Sequence, residues 1–269
     1  MAGKAIAFLT SALSGARRVG WAPYVRYRMS PYWGRREPMP IRVSGTTIAV
    51  RPATPDLRVA FQSLGTEFNV LSGLLPQSFD GLIVDAGGYI GTAAIKLATM
   101  YPNATVVTIE PSSANFALLR RNIEGYANIR AVNGALFPTA GQKLNLVDRG
   151  TGEWGFTVVP GGDGRAHTAV DEVETVTFAS ILGEFPGKSI GIVKLDIEGG
   201  EFALLQGDDP ILRDVPAVFA ELHDRIVPGC SDAFRTFSRD RWIVRLSGEK
   251  LLSLKKDAVP ETAASALAV

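Results

Sequence analysis

"LIVDAGGYIG", residues 82–91, sets an apolar run against an aspartate and three glycines, and the helix-like "TAAIKLATM" (92–100) follows at once. A short apolar run ended by glycines and continued by an amphipathic stretch reads as a buried strand turning directly into a helix. The pattern returns along the chain. "TVVTI" (105–109), "IRAV" (129–132), "IGIVKL" (190–195) and "AVFAEL" (217–222) are further apolar runs, with "SANFALLRRNIEG" (113–125) among the helical stretches between them. Unbroken apolar strands separated by helices predict a mostly parallel sheet with helices on both faces, a doubly wound, Rossmann-like α/β fold. Near the end "RWIVRL" (241–246) and "LLSLKK" (251–256) flank "SGE", which predicts an antiparallel hairpin closing that sheet.

Ahead of the repeating pattern, "IRVSGTTIAVRP" (41–52) alternates around Ser44-Gly45 as a small hairpin, and the breaker-rich "SPYWGRREPMP" (30–40) joins it to a helical N-terminus. The expected organisation is an N-terminal helical and β extension over 1–60, the main domain over 61–257 and a poorly tied tail over 258–269. The stretch "LNLVDRGTGEWGFTVVPGGDGRAHTAV" (144–170) reads as a hairpin followed by a mobile glycine-rich segment at the mouth of a site, with His167 simply solvated there.

Composition bounds the partners. Lys+Arg 28 against Asp+Glu 27 gives a net charge of +1, so nothing global advertises a nucleic acid, and a small-molecule or glycan substrate is the expectation. The charge is unevenly placed: Met1 to Arg36 holds seven basic residues and no acidic one. That basic, aromatic-dotted segment suits an anionic lipid head group or glycolipid at a membrane surface, a glycan, or the interface of a homo-oligomer. "AIAFLTSALSGA" (5–16) resembles a signal-peptide core, but it is short and runs into Arg17 and Arg18, so an amphipathic helix is the preferred reading. The single cysteine, Cys230, agrees with a reducing, cytoplasmic location, compatible with the inner face of a membrane.

The glycine turn Asp85-Ala86-Gly87-Gly88-Tyr89-Ile90-Gly91 departs from the dinucleotide fingerprint at its first glycine, where Ala86 stands. Asp85 at the strand tip would repel a pyrophosphate and orient a cation. Glu110, 19 residues beyond Gly91 at the end of the next strand, is placed to accept hydrogen bonds from ribose hydroxyls. A nucleoside with positive charge and no phosphate fits both, and S-adenosylmethionine is such a molecule. Asn133-Gly134 closes the third strand at the expected edge of an adenine pocket. A second constellation, "KLDIEGGE" (194–201) with "AELHD" (220–224), brings Lys194, Asp196, Glu198, Glu221 and His223 to the carboxyl ends of the fourth and fifth strands. A buried Lys194 needs a carboxylate or a functional role. Asp196, Glu221 and His223 could supply a base, its orienting partner and a substrate anchor, with His223 taken as the base. With Glu198, the same three offer ligands for a hard divalent cation, a rival to the metal-free reading.

"VDAGGYIGTAAIKLA", "TIEPSSANFALLRRNI", "NGAL" and "VKLDIEGGEFALLQG" resemble, in order, successive motifs of the FkbM-type methyltransferases, a family of class I, S-adenosylmethionine-dependent enzymes linked to O-methylation of sugars and natural products. The resemblance covers about Glu67 to His223, including the lead-in "GTEFNVL". It implies Asp85, Gly87 and Gly91 as the cofactor loop, Glu110 on ribose, and Asp196 with Glu198 near the methyl group; with Glu67, Gly88, Pro111, Asn133 and Gly134 these make up the expected cofactor-binding set. Two alternatives stay open: a nicotinamide oxidoreductase, although no tyrosine is followed four residues later by lysine, and a binding module without catalysis.

Overall fold

The computed structural model describes residues 15–148, 156–159 and 168–258. The chain forms two compact units, Met1–Glu67 and Phe68–Val269, so the division falls beyond the expected residue 60. His167, the apolar segment up to residue 14 and nearly all of the expected tail lie outside the described residues.

In the first unit a helix, Trp21–Met29, runs into a 3-10 turn, Ser30–Trp33, and then into the hairpin β1 (Met39–Val43) and β2 (Thr46–Val50). The two strands pair antiparallel around Ser44 and Gly45, both at positive φ (49° and 88°), as the tight turn between twisted strands requires. Inward-facing Ile41, Val43 and Ile48 are buried. The helix Asp56–Ser63 follows, and its buried first residue is fastened to the hairpin: Arg51 donates from its backbone N–H to Asp56 at 2.8 Å and from its guanidinium at 3.0 Å.

The second unit carries β3 (Leu82–Ala86), β4 (Thr105–Glu110), β5 (Ile129–Asn133), β6 (Ala135–Leu136), β7 (Lys143–Asp148), β8 (Phe156–Val159), β9 (Thr168–Val176), β10 (Ile190–Leu195), β11 (Ala217–Glu221), β12 (Arg241–Arg245) and β13 (Lys250–Lys255). Seven of them form one sheet in the order β12-β13-β11-β10-β3-β4-β5. β11, β10, β3, β4 and β5 are parallel to one another, while β13 pairs antiparallel with both β11 and β12, as the C-terminal hairpin signal predicted. Alternate residues of each strand feed opposite faces. Leu82, Val84 and Ala86 join one buried cluster with Phe178, Leu204 and Phe234, and Ile83 joins the other with Phe68, Leu97, Tyr101 and Phe219.

A second sheet, β6-β9-β7-β8, corrects the reading of 144–170. β7 and β8 form the expected antiparallel hairpin, but β7 also pairs along β9. β9 begins inside the stretch expected to be a mobile loop. Within "DEVETV" (171–176), exposed Glu172 and Glu174 alternate with buried Val173 and Thr175, as in a strand with one wet face.

The site depends on where the main sheet changes direction. Strands added after β3 run outward through β4 and β5, then the chain returns on the other side of β3 with β10, so the crevice of the doubly wound fold opens at the carboxyl ends of β3 and β10. At that point Thr108, Asp85 and Lys194 lie in register across β4, β3 and β10. The Thr108 hydroxyl donates to Asp85 Oδ2 at 2.8 Å, and Lys194 Nζ stands 3.1 Å from Asp85 Oδ1. Both charged side chains are buried. Removing one member of such a pair strands the other charge, so Lys194→Met is expected to lower unfolding free energy by about 3–5 kcal/mol in urea titrations. Adding Asp85→Leu to Lys194→Met should recover most of that loss, because the orphaned carboxylate goes with it.

Candidate active site

The glycine turn is shaped first by its own chain. Gly87 sits at φ 83°, and a Cβ there would lie 1.8 Å from the backbone carbonyl oxygen of Asp196. A Cβ on Gly88 would meet the Thr108 hydroxyl at 2.3 Å. These glycines let β3, β4 and β10 converge, where close approach of a ligand had been expected to demand them. Asp196 N–H donates to Ala86 O at 3.1 Å, tying the end of β10 to the turn, and Gly91 forms the N-cap of the helix Thr92–Met100.

Asp85 does not present a carboxylate to the crevice, as expected for a cationic ligand's anchor; it is consumed by Thr108 and Lys194. Lys194 likewise has no spare role as a proton carrier, since its ammonium also donates to Gly87 O at 2.7 Å and stands 3.5 Å from Asp196 Oδ2. The cost of burying this lysine is met by two carboxylates and by the carbonyls of Ala86 and Gly87, which makes it a clamp between the glycine turn and β10.

Glu110 ends β4 beside the turn. Its Oε2 accepts the Tyr89 backbone N–H at 2.8 Å, and its Oε1 accepts Ser112 N–H at 3.0 Å and the Asn115 amide at 3.2 Å. A carboxylate has about four acceptor positions, so Oε2 retains capacity for a donor such as a ribose hydroxyl. Burial pushes its pKa up to about 7, against the opposing pull of the Ser112 and Tyr89 N–H groups. Pro111 follows directly, half-buried, and its carbonyl accepts from Asn133 at 3.2 Å; Asn133 also donates to Glu110 O at 2.9 Å. Asn133 therefore braces the β4 loop, and the buried Gly134 lies against β9, where a Cβ would sit 3.2 Å from Glu174 O. Glu67 is the last residue of the first unit, where it accepts the Ser63 hydroxyl at 3.5 Å.

His223, just past β11, is the centre of the second constellation. Its Nδ1 is 2.9 Å from Glu201 Oε1, and its Nε2 faces Glu198 Oε1 at 3.6 Å and Asp196 Oδ1 at 3.8 Å. Burial alone would lower its pKa; the hydrogen bond to Glu201 and the field of Glu201, Glu198 and Asp196 raise it to about 9. An imidazolium has no lone pair for a substrate proton, so the arrangement does not carry the base role expected of this histidine. Its orienting partner is Glu201, where Glu221 or Asp196 had been expected. Glu201, fully buried, also accepts the N–H groups of Ile197 and Gly199 at 2.8 Å and so folds the turn around the histidine. Sequence reasoning missed the role of this carboxylate, which follows Gly199-Gly200 at a helix start; an acid there that can reach back to the turn's own N–H groups is the signal.

Glu198 holds φ at 50°, and burial raises its pKa to about 7 while Arg225 stands 3.5 Å from its Oε2. Glu221 pairs with Lys250 Nζ at 3.4 Å, and its pKa is raised, first by burial and then by Asp196. Asp196 is the half-buried one of the two carboxylates facing His223 Nε2. Asp196, Glu198 and His223 each bring one ligand-type atom within 4.8 Å of the others, and Glu221, His223 and Glu249 do the same. Lys194, Asp196, Glu198, Glu221 and His223 thus converge at the carboxyl ends of β10 and β11.

A methyltransferase of Beauveria bassiana (strain ARSEF 2860), Methyltransferase 1, is 28% identical over 169 residues, 54% of this chain and 66% of the relative. The chain thus spans slightly less than two thirds of that protein. Among solved structures, a precorrin-6y C5,15-methyltransferase from Geobacter metallireducens GS-15 is 12% identical with a TM-score of 0.39, over 70% of this chain and 85% of that one. Aeropyrum pernix fibrillarin, with S-adenosyl-L-methionine natively bound, is 12% identical with a TM-score of 0.41, over 70% and 74%. Likenesses at these TM-scores carry no weight for the site. The family match does: the methyltransferase FkbM domain is matched over residues 85–238, from the aspartate of the clamp to beyond the histidine cluster, and the chain belongs to the FkbM methyltransferase family.

Proposed function

We propose that this chain transfers a methyl group from S-adenosylmethionine to a hydroxyl of a sugar, glycoconjugate or natural product. The observation that carries the reading is the buried Glu110 carboxylate beside the glycine turn, with acceptor capacity left for a ribose, facing across the switch point to a cluster rich in carboxylates. An excess of carboxylates suits a cationic donor and disfavours a pyrophosphate. When bound, the cofactor supplies an electrophilic methyl carbon on a sulfonium. Glu110 accepts the ribose hydroxyls. Lys194 and the Asp196 backbone N–H fix the turn against β10, so that the acceptor is positioned from one side. Asp196, half-buried and standing between Lys194 and His223, is placed to take the acceptor's hydroxyl proton, while the electron pair of the broken methyl–sulfur bond would stay on the neutral thioether that leaves. His223, locked by Glu201, positions Asp196 and Glu198.

Two measurements bear on these roles. A ribose hydroxyl donates better to ionised Glu110, and that group's pKa lies near 7. Affinity for S-adenosylhomocysteine by calorimetry should therefore weaken about tenfold from pH 8 to pH 6. Glu110→Gln should bind more weakly at pH 8 and with little pH dependence; wild-type affinity in that variant would remove Glu110 from the ribose. Asp196→Asn should reduce kcat by about 100- to 10,000-fold while leaving cofactor affinity within about threefold.

A second reading of the same chemistry has its own observation. Nε2 of His223 is 3.6 and 3.8 Å from two carboxylate oxygens, too far for hydrogen bonds and close to the separation of adjacent ligands around a hard divalent ion with bonds of about 2.1–2.6 Å. An ion there would lower the pKa of an acceptor hydroxyl. Turnover that survives prolonged chelation supports Asp196 as the proton acceptor, and turnover lost to chelator and restored by magnesium or manganese supports the ion.

A further inference from the structure

The chain's charge is divided between its units. Residues 1–67 hold ten basic and three acidic residues, a net +7 in a chain whose total is +1. One of those three acids, Asp56, is buried against Arg51. The same unit carries a run of exposed apolar side chains: Trp21 (59% exposed), Val25 (47%), Met29 (37%), Tyr32 (82%) and Trp33 (56%). Exposed apolar residues scattered singly need no explanation, but five within 13 consecutive positions form a patch.

Helix geometry makes the patch one surface. Trp21, Val25 and Met29 are spaced i, i+4, i+8 and share a face of the helix Trp21–Met29. Tyr24 and Tyr27 turn the opposite way and are buried, with the Tyr27 hydroxyl donating to Thr54 O at 3.1 Å. At about 100° per residue, Arg26 and Arg28 fall on the two flanks of the exposed face, and both are exposed. Tyr32 and Trp33 continue the apolar surface through the 3-10 turn, and Arg35 and Arg36, also exposed, follow. Ser30, buried, donates its hydroxyl to Arg26 O at 2.7 Å and holds the two segments together.

We infer that this face docks on the surface of an anionic lipid bilayer. An apolar strip with indole and phenol rings, rimmed by arginines, matches the boundary between acyl chains and head groups: rings settle at head-group depth and guanidinium groups reach lipid phosphates. A nucleic acid would use the arginines but leave Val25 and Met29 unburied. A second copy of the chain would bring the same arginines together across a two-fold axis, which opposes self-association. No helix among the described residues is long and apolar enough to cross a membrane.

The test is co-sedimentation of the full chain with vesicles of phosphatidylcholine alone and of phosphatidylcholine containing phosphatidylglycerol at about one lipid in three. Binding should be at least about tenfold tighter to the anionic vesicles and should fall as salt is raised. Two variants divide the contributions: Trp21→Ser with Trp33→Ser removes rings, and Arg26→Ala with Arg35→Ala and Arg36→Ala removes charge. Each should weaken binding about tenfold or more, with unchanged melting temperature and S-adenosylhomocysteine affinity. Equal binding to both vesicle types, no binding to either, wild-type binding by both variants, or a concentration-dependent dimer in place of vesicle binding overturns the inference. None of these outcomes bears on the chemistry at the strand ends.

Discussion

The row Thr108, Asp85, Lys194 is the constraint on which the site depends. Three neighbouring strands contribute one residue each, in register, at the place where strand order reverses. A buried ammonium and a buried carboxylate are tolerable there only because they face each other and because carbonyls of the glycine turn complete the shell of the lysine. The pair therefore does more than neutralise itself. It fixes the separation between the β3 turn and the end of β10, and Gly87 lets the turn lie against the Asp196 backbone. Glu110 on one side and the histidine cluster on the other inherit their positions from it.

A second organising feature is the division of labour among carboxylates. Asp85 is buried and spent on the clamp, and Glu201 is buried and spent on His223 and two backbone N–H groups. Glu110 is buried yet retains acceptor capacity, and Asp196 remains half-buried at the mouth. Identical functional groups acquire different tasks from their surroundings, as burial and neighbouring charge act differently on each. The histidine follows the same rule: against the effect of burial, Glu201, Glu198 and Asp196 raise its pKa.

Much of the fold was legible because its signals are local. Buried parallel strands such as "IGIVKL" and "AVFAEL" are continuous apolar runs, the helix over 92–100 follows its glycine turn, and the Ser44-Gly45 turn announces its hairpin. β9 was harder, since "DEVETV" pairs valines with acids and follows a glycine-rich stretch that dominates the local reading. In the site, sequence order indicated which titratable groups gather at the strand ends but not which of them pair. That Lys194 takes Asp85 depends on β10 lying beside β3, a contact between residues 109 positions apart whose register no single segment encodes. The role of Glu201 was hidden for a related reason: as a helix-start acid it satisfies a local rule, and only the return of β11 beside β10 brings His223 to it.

Strand order also sets a schedule. β13 is the last strand of the main sheet in the chain, yet it lies between β11 and β12, and Arg241 pins that corner by donating to Val215 O at 2.7 Å and to the Ser253 hydroxyl at 2.8 Å. While the polypeptide is being synthesised, every residue of the histidine cluster has emerged before β11 gains its outer neighbour. For that interval β11 is a bare edge carrying Glu221 and leading to His223, open to pairing with another nascent chain. The strand ends thus take their final arrangement only once β13 has been made, since its first residue, Lys250, also pairs with Glu221, and a ribosome that stalled before Lys250 would leave β11 without that neighbour.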